Sequence, residues 1–314
     1  METKWMKLYV DFAFKRLFGS QENERILMAF LNAMLKPAPE KRITSVTILD
    51  KELGREYVED KNAILDLHAR LDDGSKVNIE IQLANEHNLQ KRSLYYWGRT
   101  YMEGFQKSGN YADLPRTISI NITGFLLFPY YSERYHLAFD LREREAGFLW
   151  DDTIELHLVE MPKLVRLWRE RRIGMGQDEL VEWLLLLEAG DDENIRKELE
   201  VRAMDNPALQ EAMDKWEDLS RDPEAIREYE ARHKALMDQL SAIKENERRQ
   251  QLRYEEGIEE GIEKGIEKGI EEGERRKSFD IARKLLRRGV EAREVAEYTG
   301  LALEDVYKIE RELQ

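Results

Sequence analysis

The chain has 314 residues, with 50 Lys and Arg against 64 Asp and Glu, a formal charge of −14. That length allows about two domains with at least one buried core. The absence of cysteine excludes disulfides, thiolate zinc sites and thiol nucleophiles, and five histidines scattered at 68, 87, 136, 157 and 233 argue against a histidine-built zinc site. No run of about 18 apolar residues exists and the first ten residues lack a signal-peptide apolar stretch, so the expectation is a cytoplasmic protein with no membrane association.

Net charge is unevenly distributed. Residues 1–125 hold 18 basic and 17 acidic residues, a net +1, and residues 126–190 hold 8 and 13, a net −5. Residues 191–274 hold 14 and 26, a net −12, and residues 275–314 hold 10 and 8, a net +2. The whole-chain acidity alone opposes a nucleic-acid partner, because phosphate binding is driven by Lys and Arg. Resolved by segment, it does not exclude one.

In chain order, periodicity predicts a helix from Asp11 to Phe18 stopped by Gly19, and a second from about Glu22 to Leu35 stopped by Pro37 and Pro39. Strands follow near Ile43 to Leu49, Ala63 to Leu71 and Lys76 to Leu83. From about Asn88 to Phe105 an amphipathic helix places Leu94, Trp97, Tyr101 and Phe105 on an apolar stripe, leaving Arg92, Tyr96, Arg99 and Glu103 on another. Three more strands are expected at Thr117 to Phe128, Arg134 to Leu141 and Thr153 to Val159, and after Pro162 almost everything reads as helix.

The expected domains are an α/β core at 1–160, a helical extension at 161–254, a Gly-Ile repeat helix at 255–274 and a small helix-turn-helix-like region at 275–314. The repeat GIEEGIEKGIEKGIEEG places Gly at 257, 261, 265, 269 and 273 and Ile at 258, 262, 266 and 270. A step of four residues turns a helix by about 400°, so the Ile stripe stays on one face, while the small residues allow a second helix to approach closely. This reads as a homo-oligomerisation helix. Five glycines at about 1 kcal/mol each leave a solvated linker as the alternative. Near the end, Ala296, Gly300 and Val306 resemble a helix-turn-helix whose second helix would be Leu303 to Leu313. Its acidic surface favours packing or assembly, while the basic run ERRKSFDIARKLLRRG keeps DNA contact open.

The strand pair AILDLHARLDDGSKVNIEIQL gives each strand one apolar and one polar face, with Asp73-Gly74 as the turn signal. A three-residue loop from Asp72 to Gly74 makes paired residue numbers sum to 146, setting Asp66 opposite Glu80 with Gln82 on the same face. A two-residue loop would break that argument. Two carboxylates so close repel unless a proton or cation lies between them, and a hard divalent ion such as Mg²⁺ suits them. The competing reading is an ordinary half-exposed hairpin whose outer face bears acids.

The strings YVDFAFKRLFGS, ERILMAFLNAML, ITSVTILDKEL, DKNAILDLHARLDDGSKVNIEIQL and QKRSLYYWGRTY, in that order, resemble the Rpn family of recombination-promoting nucleases and transposase-like proteins, within the PD-(D/E)xK nuclease superfamily. The resemblance covers roughly residues 9–160. It implies a restriction-endonuclease-like core, a mixed sheet flanked by helices, and a Mg²⁺- or Mn²⁺-dependent DNA endonuclease linked to recombination or mobile elements. It assigns Asp66 as the metal-bridging acid, Glu80 as the second ligand and the Ile81 carbonyl as a third. The superfamily Lys is replaced by Gln82, which can donate a hydrogen bond but supplies no charge. Lys61 or Lys15 are candidates for that charge, and Asp11 for an accessory ligand, although an acid there is also favoured by the helix dipole. Glu52 is a weaker candidate, and Arg92, Tyr95 and Tyr96 are candidates for lining the DNA path. The missing Lys keeps a non-catalytic DNA-binding or assembly protein with a degenerate nuclease core as the alternative.

Overall fold

The computed structural model describes residues 4–49, 67–106 and 108–313. At its centre is a six-stranded mixed sheet in the order β1-β2-β3-β4-β6-β5. The strands are β1 (Val46–Ile48), β2 (Leu67–Leu71), β3 (Lys76–Gln82), β4 (Thr117–Thr123), β5 (His136–Asp140) and β6 (Ile154–Glu160). β1, β2 and β3 pair antiparallel, β3 with β4 and β4 with β6 pair parallel, and β5 closes the far edge antiparallel to β6.

Local sequence accounts for the β2–β3 hairpin. Gly74 takes φ +86°, a conformation that suits Gly, and its N–H donates to the Leu71 carbonyl. The Ser75 N–H donates to the Asp73 carboxylate, and the Leu71 N–H to the Ser75 carbonyl. The loop therefore has three residues, and pairing runs from Arg70↔Lys76 to Leu67↔Ile79, the register expected from the turn. Every interior side chain is assigned to a face by that register.

One face is apolar. Val77, Ile79 and Ile81 from β3 and Ile118, Ile120 and Ile122 from β4 join one buried cluster with helices α1 (Asp11–Phe18), α2 (Glu24–Leu35) and α5 (Glu179–Glu188). Phe18, Phe30 and Trp183 meet there with ring centroids 5.5 to 6.4 Å apart. Each such side chain contributes about 1.5–3 kcal/mol on burial. Helix α1 ends where Gly19 passes Leu67, since a Cβ at Gly19 would lie 2.8 Å from the Lys15 carbonyl oxygen and 3.2 Å from Leu67 Cδ1. Helix α2 ends at Lys36, which adopts a left-handed φ of 45° just before Pro37.

Helices that follow the sheet pack into the same core. α4 (Met161–Arg169), α6 (Glu193–Ala203), α7 (Pro207–Arg221) and the start of α8 (Pro223–Arg287) place Leu164, Leu199, Trp216, Ala225 and Tyr229 in the same cluster as the sheet. Trp216 Nε1 donates to the Met6 carbonyl at 2.8 Å, and the Met6 N–H donates to Ser220 Oγ, tying the first described segment to α7. This compact unit runs to Ser241.

The second unit is residues 242–314. The Gly-Ile repeat lies within α8 as continuous helix, its isoleucines 46 to 59% exposed. Ala282 of α8 packs with Ala292 and Val295 of α9 (Ala292–Thr299) and with Val306 and Ile309 of α10 (Leu303–Leu313). Gly300, at φ +69°, turns α9 into α10. Among the described residues no helix is long and apolar enough to cross a membrane.

Candidate active site

The second face of the sheet carries polar side chains in register. Lys76, Asn78, Glu80 and Gln82 of β3 lie beside Thr117, Ser119, Asn121 and Thr123 of β4, with His68 of β2 paired to Asn78. These residues are all buried. The half-exposed hairpin expected as the ordinary alternative is therefore not what the chain forms: helix α3 (Leu89–Met102) lies over this face.

That cover changes which side of α3 faces inward. The stripe expected to be apolar and covered leaves Leu94 49% exposed, while Leu89, Ser93, Tyr96 and Thr100 are buried. The reason is chemical matching, because a polar sheet face needs hydrogen-bonding partners. Ser93 Oγ donates to Asn121 Oδ1 at 2.8 Å, and Trp97 Nε1 donates to the Thr117 carbonyl at 2.9 Å. Lys76 Nζ donates to the carbonyls of Thr100 and Glu103, fixing the far end of the helix. The alternation of Thr, Ser, Asn and Thr with Ile in β4 was a readable signal that this strand shares the polar face.

Glu80 sits at the centre of the array, 2% exposed, and Gln82 Nε2 donates to its Oε2 at 3.0 Å. Gln82 thus orients a buried carboxylate. Two residues earlier, Asn78 is fully buried and neither atom of its side-chain amide has a hydrogen-bond partner among the described residues. A group left in that state costs about 1–3 kcal/mol, which a fold selected for stability alone would avoid. The Gly124 N–H donates to the Gln82 carbonyl, so the carbonyl of Ile81, one residue back along the strand, points to the β2 side.

The donor chemistry fits a hard cation: a buried carboxylate and a backbone carbonyl, with no thiolate or imidazole required. Among the described residues no group of three or more His, Asp or Glu side chains is placed to hold a metal ion. Asp66, Lys61 and Glu52 lie outside the described residues.

The other candidates sit elsewhere. Asp11 and Lys15 form an ion pair at 4.0 Å in a surface pocket with Arg16, Gly19, Ser20, Glu228 and Arg232. Arg92 reaches the end of β3, where it lines a cavity of about 20 Å³ together with Gln82, Glu86, Tyr9 and α8 residues Leu236, Gln239 and Leu240. Its guanidinium lies 3.8 Å from Glu86 and 5.5 Å from the Tyr96 ring centroid. Tyr95 is exposed and packs edge-on against Tyr96 at 5.4 Å.

An antiparallel hairpin feeds parallel strands through a crossover helix, and Glu80 and Gln82 lie two residues apart on the strand before the crossover. The family model described as PD-(D/E)XK nuclease family transposase matches residues 8–246, and the chain belongs to that family. Among curated proteins and solved structures, no match to the chain was found. The matched span ends close to the boundary of the first compact unit, so the helices α4 to α7 belong with the nuclease-type domain. Nucleases of this family generally use divalent metals and act on DNA.

Proposed function

We propose that the protein is a metal-dependent DNA endonuclease that hydrolyses phosphodiester bonds, linked to recombination or mobile elements and working in the cytoplasm. The observation that carries this reading is the buried Glu80 carboxylate, held by Gln82 on a polar face roofed by α3. Asp66 immediately precedes β2, and one further step of the β2–β3 register would set it opposite Glu80. Asp66, Glu80 and the Ile81 carbonyl are the proposed ligands for Mg²⁺ or Mn²⁺. When bound, the ion supplies water activation and charge neutralisation at the phosphodiester. Gln82 donates a hydrogen bond to the Glu80 carboxylate, and α3 covers the face on which Glu80 lies. Asp11 and Lys61 remain proposed accessory groups.

The test is cleavage of supercoiled plasmid with Mg²⁺ or Mn²⁺. Wild type should nick and linearise it, and Asp66→Ala should lose at least about 10²-fold in rate. Equal cleavage by the two proteins would reject the assigned site.

Gln82 in place of the family Lys favours one other reading, a DNA-binding or assembly protein with a degenerate core. Metal-independent DNA binding without nicking would select it. For the tail, a second copy of the chain is the proposed occupant of the Ile258, Ile262, Ile266 and Ile270 stripe, which would bring two cores to one duplex. Ile262→Asp combined with Ile266→Asp should give a smaller species in sedimentation, with core melting unchanged.

A further inference from the structure

Along the exposed middle of α8, opposite charges are interspersed and pair with one another. Lys264 meets Glu260 at 3.1 Å, and Arg248 and Arg249 both reach Glu245. Charges spaced this way make a solvated helix surface that needs no partner. Just past the Gly-Ile repeat the pattern ends. Residues 275–288 hold seven cations against one acid, Asp280, a net +6 in a chain of net −14. All eight of these side chains are exposed. At about 100° of rotation per residue, Arg276, Arg283 and Arg287 fall in one row, and Lys277, Lys284 and Arg288, in the turn that closes the helix, fall in a second row about 100° away. The opposite sector carries Phe279, Ala282, Leu285 and Leu286, which pack with α9 and α10. The two basic rows therefore face away from the small core of the tail.

Structural explanations for these rows fall short. Cations in the last turn of a helix are favoured by its dipole, which accounts for Lys284 and Arg287 but not for Arg276 and Lys277, about three turns from the end. Ion pairing accounts for Arg283, whose guanidinium lies 3.6 Å from Glu312. Arg276, Lys277, Lys284, Arg287 and Arg288 form no ion pair among the described residues. Like charges four residues apart, at Arg283 and Arg287 and at Lys284 and Arg288, destabilise the helix that carries them. The rows cost stability and wait for negative charge from outside the unit.

We propose that this face of α8 binds the phosphate backbone of duplex DNA through sequence-independent contacts. The surface stands on its own geometry, while the choice of DNA rests on the nuclease reading above. Duplex DNA presents a phosphate charge about every 1.7 Å along its axis, and cations that meet those charges release condensed counterions, whereas exposed ion pairs between protein side chains contribute little. A membrane fits less well. A helix lying in a lipid surface buries an apolar face, and the apolar face here is taken by α9 and α10. The contact also differs from the one a helix-turn-helix implies, in which the second helix reads DNA. That helix, α10, carries Glu304, Asp305, Glu310 and Glu312 against Lys308 and Arg311. α9 and α10 serve instead as the support that presents the basic face of α8.

The test measures the affinity of the full chain for a short DNA duplex of random sequence by fluorescence anisotropy across a salt series, with metal chelated so that nothing is cut. Wild type should show a log–log salt slope of about −5, as expected for about six phosphate contacts. Arg276→Gln, Lys277→Gln, Lys284→Gln and Arg287→Gln together should flatten the slope by about 3 to 4 and weaken binding at least about 10²-fold. Lys308→Gln with Arg311→Gln, on α10, should change affinity by less than about threefold. If the fourfold variant melts early, Arg276→Gln with Lys277→Gln decides, since neither side chain is in the last turn, and a slope flattened by about 2 is expected. An unchanged slope in that pair overturns the proposal, as does wild-type affinity in a folded fourfold variant, a larger loss from the α10 pair, or no duplex binding by wild type. Tighter binding to phosphatidylserine vesicles, or to RNA of the same sequence, would overturn it in favour of a membrane or RNA. A changed sedimenting species with duplex affinity intact would overturn it in favour of a second copy of the chain. Plasmid cleavage, measured separately, decides the nuclease reading. Wild type that cuts, with equal duplex affinity in the fourfold variant, removes this surface alone. Wild type that cuts nothing but loses duplex binding in that variant keeps the surface and removes the nuclease.

Discussion

On one face of the sheet, Ile79, Ile81, Ile120 and Ile122 join Phe18, Phe30 and Trp183 in a single apolar cluster; one residue along the same strands, Asn78, Glu80, Asn121 and Thr123 are equally buried beneath α3. Burial is thus matched while chemistry is opposite. The apolar side returns free energy for every square ångström it hides from water. The polar side must recover hydrogen bonds simply to offset its desolvation, and at Asn78 it does not recover them among the described residues. A fold that tolerates such a layer keeps it for something other than stability, and the family to which the chain belongs supplies the kind of purpose.

That contrast can be broken by exchanging the two chemistries. Ile120→Ala should destabilise by about 2–5 kcal/mol in denaturant melts, because it opens a cavity in the apolar layer. A cost below about 1 kcal/mol would mean that this layer is not the stabilising one.

Acid should probe a third cluster at the sheet edge. His136 Nε2 and His157 Nδ1 are 2.8 Å apart, and His157 Nε2 is 2.8 Å from Glu155, which also pairs with Arg116. Burial, then the neighbouring His157 and Lys36, push His136 down to about 4. Burial pushes Glu155 up, but hydrogen bonds from His157 and Arg116 and their charges outweigh it and bring the carboxyl to about 2. Both groups bind fewer protons folded than unfolded across their windows, so stability falls with falling pH. His136 contributes up to about 3 kcal/mol lost between pH 6.5 and 4, and Glu155 adds a further loss between 4.5 and 2. His136→Phe should flatten the first window in a series of melts against pH; an unchanged slope would dissociate the titration from this residue.

Smaller effects sharpen the polar side. Asn78→Leu, close in volume, should leave stability unchanged or raise it by about 1 kcal/mol, since an amide with no partner among the described residues is removed. Ser93→Ala should cost about 1 kcal/mol by taking the donor from Asn121. If Asn78→Leu instead costs as much as Ile120→Ala, the two faces do not differ in kind.

Much of this was legible in the sequence where a local rule decides. Alternation in β3 and β4 and the Asp73-Gly74 turn determine the register and therefore the face that holds Glu80 and Gln82. The Gly300 turn is legible for the same reason. The orientation of α3 was not, because Leu94 and Trp97 look like core residues until the surface they would cover proves to be polar. Nothing local indicated that Trp183, Trp216 and Tyr229 would enter the same core as the sheet, a choice made by packing between elements far apart in the chain. His136 and His157, 21 residues apart, meet only through the pairing of β5 with β6. Asp66 lies outside the described residues.

The claim that the polar face is a catalytic layer is tested most directly by measuring plasmid cleavage and thermal melting together for wild type and Glu80→Gln, with Mn²⁺ present. The account predicts that the variant loses cleavage by about 10³-fold or more while melting at the same temperature or higher, because a buried carboxylate has been exchanged for a neutral group of the same shape. Undiminished cleavage by a folded Glu80→Gln protein would contradict it.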